Sequence, residues 1–316
     1  MPSNPPLSST HFVAPLDETP LVAVDKVSVD AKPSNLYIDA WRDIRKRPLF
    51  YVSAVIILLV VVVALLPNLF TQVDPRNCQL GFSNDPPSSG HPLGYTKQGC
   101  DVYARIIFGT QTSLSVGLIV TALVSILGIV IGSLAGFYGR WIDAVLSRIG
   151  DIFFAIPYIL AAVVIMSVLR EQRNIWVISL AIGFFAWPST ARVLRGQILS
   201  VKNSDFVTSA VALGVSRFTI LRRHVLPNSI APVIVVTTIG LAAAIVAEAT
   251  LSFLGVGLPP SIMSWGNDIS QAQGDLRNNP MTLIYPSIAL SVTVLAFIMM
   301  GEVVRDALDP KARARR

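Results

Sequence analysis

The side chains able to do acid–base, thiol or phosphate chemistry are few and far apart. Glu248, in AAAIVAEATLSFLGVG, is an acid within the apolar part of a run. A carboxylate in hydrocarbon is costly, so it must face protein or water, and a proton relay, an outer gate or a structural contact are the roles open to it. Cys78 and Cys100 flank the turn-rich stretch DPPSSGHPLG, which also carries His91. In an oxidising compartment the two thiols can bridge, and closing a loop of this length stabilises it by roughly 3 kcal/mol in the chain-entropy view. Two free thiols remain an alternative; a metal pair lacks further His or Cys nearby, and His91 reads as a turn residue. None of the six lysines follows a glycine. The chain therefore has no G-x-x-x-x-G-K-[ST] phosphate loop with which to hydrolyse ATP. Three scattered histidines without paired acids also argue against an enzyme.

These residues must be positioned by elements that are overwhelmingly apolar. The chain has 316 residues, 53% hydrophobic and 14% charged, with a mean hydropathy of +0.61, which predicts an integral membrane protein. Six runs approach the roughly 20 residues that cross a hydrocarbon core: Leu49 to Phe70, Leu114 to Phe137, Ile152 to Leu169, Ile175 to Val193, Ile230 to Phe253 and Leu283 to Val304. None alternates with period two, so the expected fold is all-α with six transmembrane helices. Glu248 falls near the outer end of its run rather than the midplane, which favours a gating or structural contact over a relay. Thr121, Ser125, Thr237, Thr238, Ser287 and Ser291 dot the spans and serve equally well as passage lining or helix packing. Pro157, Pro188 and Pro286 read as kinks before hinges.

Charge sets the orientation. With the N-terminus inside, 19 of the 25 Lys and Arg residues fall in inner segments and six (Arg76, Lys97, Arg105, Arg170, Arg173 and Arg277) in outer ones, so both termini are expected in the cytoplasm. The net charge of +6 is a topology signal rather than a nucleic-acid footprint. The head, 1–34, is polar, shows no cleavable signal and is expected to be disordered. Residues 35–48, with Tyr37, Trp41 and Ile44 beside Arg42, Arg45, Lys46 and Arg47, suit an amphipathic juxtamembrane helix or a continuation of the first span, 49–70. An extracytoplasmic loop, 71–111, a five-helix core, 112–304, and a tail, 305–316, complete the expected organisation.

One inner loop, 203–227, is too structured for a plain connector. In DFVTSAVALGVSRFTILRRHVLPN, Ser204 or Asp205 can cap a helix whose Phe206, Ala210 and Leu213 fall at i, i+4 and i+7. Gly214 can end it in a left-handed backbone, Ser216 can cap a second helix carrying Phe218 and Leu221, and Pro227 should stop that helix before the next span. Apolar side chains surrounded by Arg195, Arg217, Arg222 and Arg223 make a face that needs a partner.

This segment resembles the signature loop of the membrane subunits of ATP-binding-cassette importers, Glu-Ala-Ala, three residues, Gly and a later Leu-Pro. Ala210, Gly214, Leu226 and Pro227 fit, while Thr208 and Ser209 stand in place of the Glu and first Ala. HPLGYTKQGCDV (His91 to Val102), EATLSFLGVGLPPSIMSWG (Glu248 to Gly266) and RDALDP (Arg305 to Pro310) resemble elements of the second permease of the dipeptide and oligopeptide importers, with Cys100 where that family has Arg. The resemblance covers nearly everything from Trp41 onward. It implies a type I ABC importer permease fold in a bacterial inner membrane, with a second homologous permease subunit, two cytoplasmic ABC ATPase domains that hold ATP-Mg, and an extracytoplasmic peptide-binding protein. It implies no cofactor on this chain and no nucleic-acid partner. Asp205, Phe206, Thr208, Ser209, Ala210, Leu213, Gly214 and Pro227 would then form the ATPase-coupling element. Di- or oligopeptides are the implied cargo, with nickel, haem or another small solute as the alternative. A proton-coupled secondary transporter is the rival from another class; it calls for midplane acids and repeated broken spans, which the sequence does not display.

Overall fold

The computed structural model describes residues 36–308. The expected disordered head and the last residues of the tail, 309–316, lie outside the described residues. The described residues are helical apart from loops, turns and two isolated bridges.

Leu36–Ile44 forms α1, a helix of its own rather than the start of the first span, because Pro48 opens a new helix, α2 (Pro48–Leu65), after a break at Arg45 to Arg47. The second expected span is much longer than its apolar run: α3 covers Val102–Tyr138, 37 residues, or about 55 Å. Asp101 starts it by accepting the Ala104 N–H at 2.6 Å. Gly139, at φ 63°, ends it. The first turns of α3 precede the apolar run that marks the span in sequence, yet Val102, Ala104, Arg105 and Ile107 are buried there.

The third span is not one helix. Ile156 is held extended by the proline that follows it, and α4 (Arg140–Ala155) meets α5 (Tyr158–Val168) at a bend of 75°. Thus Pro157 breaks the element rather than kinking it. α6 (Ile175–Val201) is capped by Asn174, whose side chain accepts from the N–H groups of Trp176 and Val177, and it carries Pro188 inside. Three short helices follow, α7 (Asp205–Ala212), α8 (Arg217–Ile220) and α9 (Leu226–Ser229), then α10 (Ala231–Phe253), the short α11 (Trp265–Ala272) and α12 (Met281–Leu308). Five of these helices, and a sixth if the bent pair is one crossing, are long and apolar enough to span a bilayer.

α3 and α6 form the central seam. Gly128 and Gly132, one helical turn apart on α3, let the backbones approach: a Cβ on Gly128 would lie 2.7 Å from Thr190, and one on Gly132 would lie 2.5 Å from the Ala191 carbonyl oxygen. Small residues drive such contacts because lipid offers no hydrophobic incentive for association. Around this seam Val116, Val120, Ala162, Met166, Ile178 and Ile182 bury one apolar cluster. Leu114, Leu241, Ile245 and Phe297 bury a second between α2, α3, α10 and α12. Outward-facing Val55, Leu58 and Leu59 of α2 are more than half exposed, as a lipid-facing helix requires.

Candidate functional site

Three regions place the chemically able residues. The first is the stretch from Ser204 to Ser229. α7 ends in a Schellman arrangement: Gly214, at φ 75°, donates its N–H to Val211 O, and Val215 donates to Ala210 O. Ser216 caps α8 by accepting the Thr219 N–H. The anticipated cap of α7 differs, for Ser204 occupies the cap position without a side-chain bond.

The apolar face also differs from the i, i+4, i+7 expectation. Val207 and Ala210 point inward to Leu194, Ile198, Ile220, Leu221 and Val225, whereas Phe206 is 45% and Leu213 83% exposed. α7 stops at Ala212, so Leu213 has already left the helical phase. Phe218 is likewise exposed while Leu221 is buried. The outcome is a hairpin anchored by small and branched residues, which presents Phe206, Val211, Leu213 and Phe218 outward beside exposed Arg217, Arg222 and Arg223. Asp205, Thr208 and Ser209 lie on its exposed side, with the Ser209 hydroxyl donating to Asp205 O at 2.9 Å.

Pro227 does not stop the helix. The chain stays helical from Arg217 to Ser229 because Leu221–Val225 widens into a π turn, which accommodates a residue without an N–H. The next span begins at Ala231.

The second region is a cavity of about 400 Å³ between α3, the α4–α5 bend, α6 and α10. Phe153, Phe154, Tyr158 and Phe185 supply aromatic wall, and Thr121, Ser189 and Thr237 supply hydroxyls. Of the small polar residues noted in the spans, Thr121 and Thr237 reach this cavity. Ser125, Thr238 and Ser287 donate to carbonyls of their own helices.

The third region lies at the other end, where the 66–101 loop, α11 and the start of α12 meet. Cys78 is bonded to Cys100. His91 Nδ1 lies 2.7 Å from Asp101 Oδ2, so His91 supports the cap of α3 rather than filling a turn alone. Glu248 is fully buried and accepts the hydroxyls of Ser252, at 2.9 Å, and Ser113, at 3.2 Å. Those same serine oxygens accept the N–H groups of Leu258 and Trp265. The acid therefore terminates two relays that tie the Leu254 to Ser264 loop and α11 to the span. Sequence reasoning missed a companion pair: Arg105, counted among outer-loop cations, is buried against Asp268. Their separation of 163 positions leaves no local spacing to find.

Residues 128–314 match the family described as binding-protein-dependent transport system inner membrane component, and residues 35–87 match the N-terminal TM domain of oligopeptide transport permease C. The glutathione transport system permease protein GsiD of Pectobacterium atrosepticum is 34% identical over 87% of this chain and 91% of its own length. The dipeptide transport system permease protein DppC of Alkalihalophilus pseudofirmus is 34% identical over 87% and 90%. The oligopeptide transport system permease protein OppC of Bacillus subtilis is 32% identical over 92% and 95%. Among solved structures, a chain of the MetNI methionine ABC transporter in an inward-facing conformation superposes with a TM-score of 0.54 at 18% identity, over 65% of this chain and 96% of that one. This last likeness is one of fold.

Proposed function

The chain belongs to the family of binding-protein-dependent transport system inner membrane components, and from that membership we propose that it is the permease subunit forming half of the passage of an ATP-driven importer for di- or oligopeptides. It works beside a second, homologous permease, receives cargo from an extracytoplasmic peptide-binding protein, and draws its energy from two cytoplasmic ATPase domains that hold ATP-Mg. Its own residues hydrolyse nothing.

The observation that carries this reading is the hairpin of α7 to α9. A connector between two spans has no need to bury Val207, Ala210, Ile220 and Val225 against α6 while leaving Phe206, Leu213 and Phe218 exposed. An element that must be rigid on one side and bind on the other does, and a groove on an ATPase is the partner that fits an importer. Closure of the ATPases would then move the hairpin as a body and bias the spans between two arrangements.

In this reading both termini and the hairpin are cytoplasmic, and the disulfide-bridged loop faces outward, in keeping with the excess of inner Lys and Arg. The pairing of Arg47 with Asp306 supports a common side for the two ends of the described chain. Copurification with the two ATPases, followed by uptake of defined peptides into vesicles bearing the complex and the binding protein, tests the function. A complex that assembles but moves no peptide while moving another solute overturns the cargo. Reporter fusions that place the C-terminus outside overturn the topology.

A further inference from the structure

We propose that Asp151 and Arg192 form a charge station at one mouth of the passage that receives the two ionised ends of a short peptide, so that this chain itself favours cargo with free termini. The inference rests on the peptide-importer reading.

Two ion pairs join α4 to α6, and they are built differently. Arg195 holds Asp143 with two bonds, Nε to Oδ1 at 2.5 Å and Nη2 to Oδ2 at 2.7 Å, and the Ser147 hydroxyl donates to the same carboxylate. That pair is closed on itself and mostly buried. Arg192 touches Asp151 through one contact, Nη2 to Oδ1 at 3.2 Å, with side chains 52% and 56% exposed. A carboxylate has two acceptor oxygens and a guanidinium five N–H donors, so this second pair, joined by a single contact, has donors and acceptors left with which to engage a ligand.

Its position gives that capacity a direction. Phe154, three residues beyond Asp151, and Ser189, three residues before Arg192, both stand in the wall of the 400 Å³ cavity. The Arg192 guanidinium lies 4.4 Å above the Phe154 ring, which fixes it at that wall. Pro188 is shared between this cavity and a second of about 260 Å³ that Asp151 and Arg192 themselves line. The described residues lining the larger cavity carry no charge, while the Thr121 hydroxyl in its wall is buried without a hydrogen-bond partner. Arg195 also lines the second cavity, but its guanidinium is held by Asp143, so cargo leaving the uncharged chamber meets one loosely paired cation and anion in Arg192 and Asp151.

A short peptide carries one ammonium and one carboxylate. The two ends of an extended tripeptide lie about 10 Å apart, so Asp151 and Arg192 must part to take the ammonium and the carboxylate, and that exchange turns one ionic contact into two charge-assisted ones. In both the empty and the peptide-bound states neither protein charge is left unpaired, which avoids the cost of an isolated ion.

The test uses the reconstituted complex with its binding protein and one tripeptide in three forms: free, C-amidated and N-acetylated. Because the binding protein is the same throughout, the variant-to-wild-type uptake ratio for each form cancels its preference. Arg192→Gln should lower uptake of the free and N-acetylated forms by about five-fold while leaving the amidated form near its wild-type rate. Asp151→Asn should mirror this, sparing the N-acetylated form. Arg192→Lys should recover part of the loss. Equal slowing of all three forms by both variants would show a mechanical latch and overturn the proposal, as would no change in any form. A wild-type complex that moves none of the three overturns the peptide reading itself, and the station with it.

Discussion

Arg105, in the first turn of α3, and Asp268, in α11, meet with Nη2 2.5 Å and Nε 2.7 Å from the same carboxylate oxygen, both side chains less than a tenth exposed. This contact clamps the short helix α11 onto α3, the longest helix among the described residues. A buried ion pair is weak evidence of stability as a pair, yet removing one partner leaves an uncompensated charge, at a cost of about 3 to 5 kcal/mol. Asp268→Ala should therefore lower the thermal unfolding midpoint of the purified subunit sharply. The double replacement Arg105→Met with Asp268→Leu should recover most of that loss. A single variant as stable as the parent would remove the clamp from the account.

The α3–α6 seam gives a second prediction. At Gly132 a Cβ would collide with backbone rather than with a movable side chain. Gly132→Val should force the helices apart and cost about 1 to 3 kcal/mol, as overpacking does. Gly196, on α6 itself, has open space where its Cβ would be. Gly196→Ala should be neutral or stabilising by about 0.5 to 1 kcal/mol. Unfolding of the two variants in lipid nanodiscs, followed by tryptophan fluorescence, separates these outcomes; equal stabilities would mean the seam is looser than its geometry.

Much of this architecture was legible from hydrophobic run length alone, because backbone groups in hydrocarbon must be satisfied within a helix. The failures share a cause. The apolar run points to a start of α3 at Leu114, whereas the helix begins at Val102; Arg105 is buried in its first turn because Asp268 of α11 pairs with it, and that partner lies far off in sequence. The split of α4 from α5 was written in Pro157, but the size of the bend depends on packing against α6. In the hairpin, the Gly214 break and the Ser216 cap are local chemistry and were readable. Which of Phe206, Val207 and Ala210 face inward depends on where α7 meets Leu194 and Ile198, and no window of sequence contains that.

Glu248 distinguishes a structural acid from a proton carrier. Its carboxylate accepts two serine hydroxyls, each of whose oxygens holds a backbone N–H of the loop and helix that follow α10. Glu248→Ala leaves both hydroxyls without their acceptor, and each buried unsatisfied group costs about 1 to 3 kcal/mol. We expect poor assembly of that variant. Glu248→Gln keeps the shape and one acceptor oxygen, so it should assemble and transport without any change in how uptake depends on a proton gradient. Uptake that runs on a gradient in the parent and not in Glu248→Gln would reinstate the relay.

The sharpest functional prediction concerns Gly214. Its φ of 75° lies where a side chain branched at Cβ is strained, and nothing lies within 4 Å of the place its Cβ would take. The penalty is therefore one of backbone alone, about 1 to 2 kcal/mol or more for Val. Asparagine tolerates this conformation far better. The strain falls on the bonds from Gly214 to Val211 and from Val215 to Ala210, which set the angle between α7 and α8. Gly214→Val should leave the spans inserted and the Cys78–Cys100 loop closed while abolishing peptide-stimulated ATP hydrolysis and uptake; Gly214→Asn should retain most of both. Thr208 stands where the family's acid would be, exposed, with its hydroxyl 3.4 Å from Ser204 O. Thr208→Glu should leave transport intact or modestly improved, since no buried contact is lost. Full coupled activity of the Gly214→Val complex at normal expression would show that the angle between the two short helices carries no signal, and the hairpin would revert to a connector.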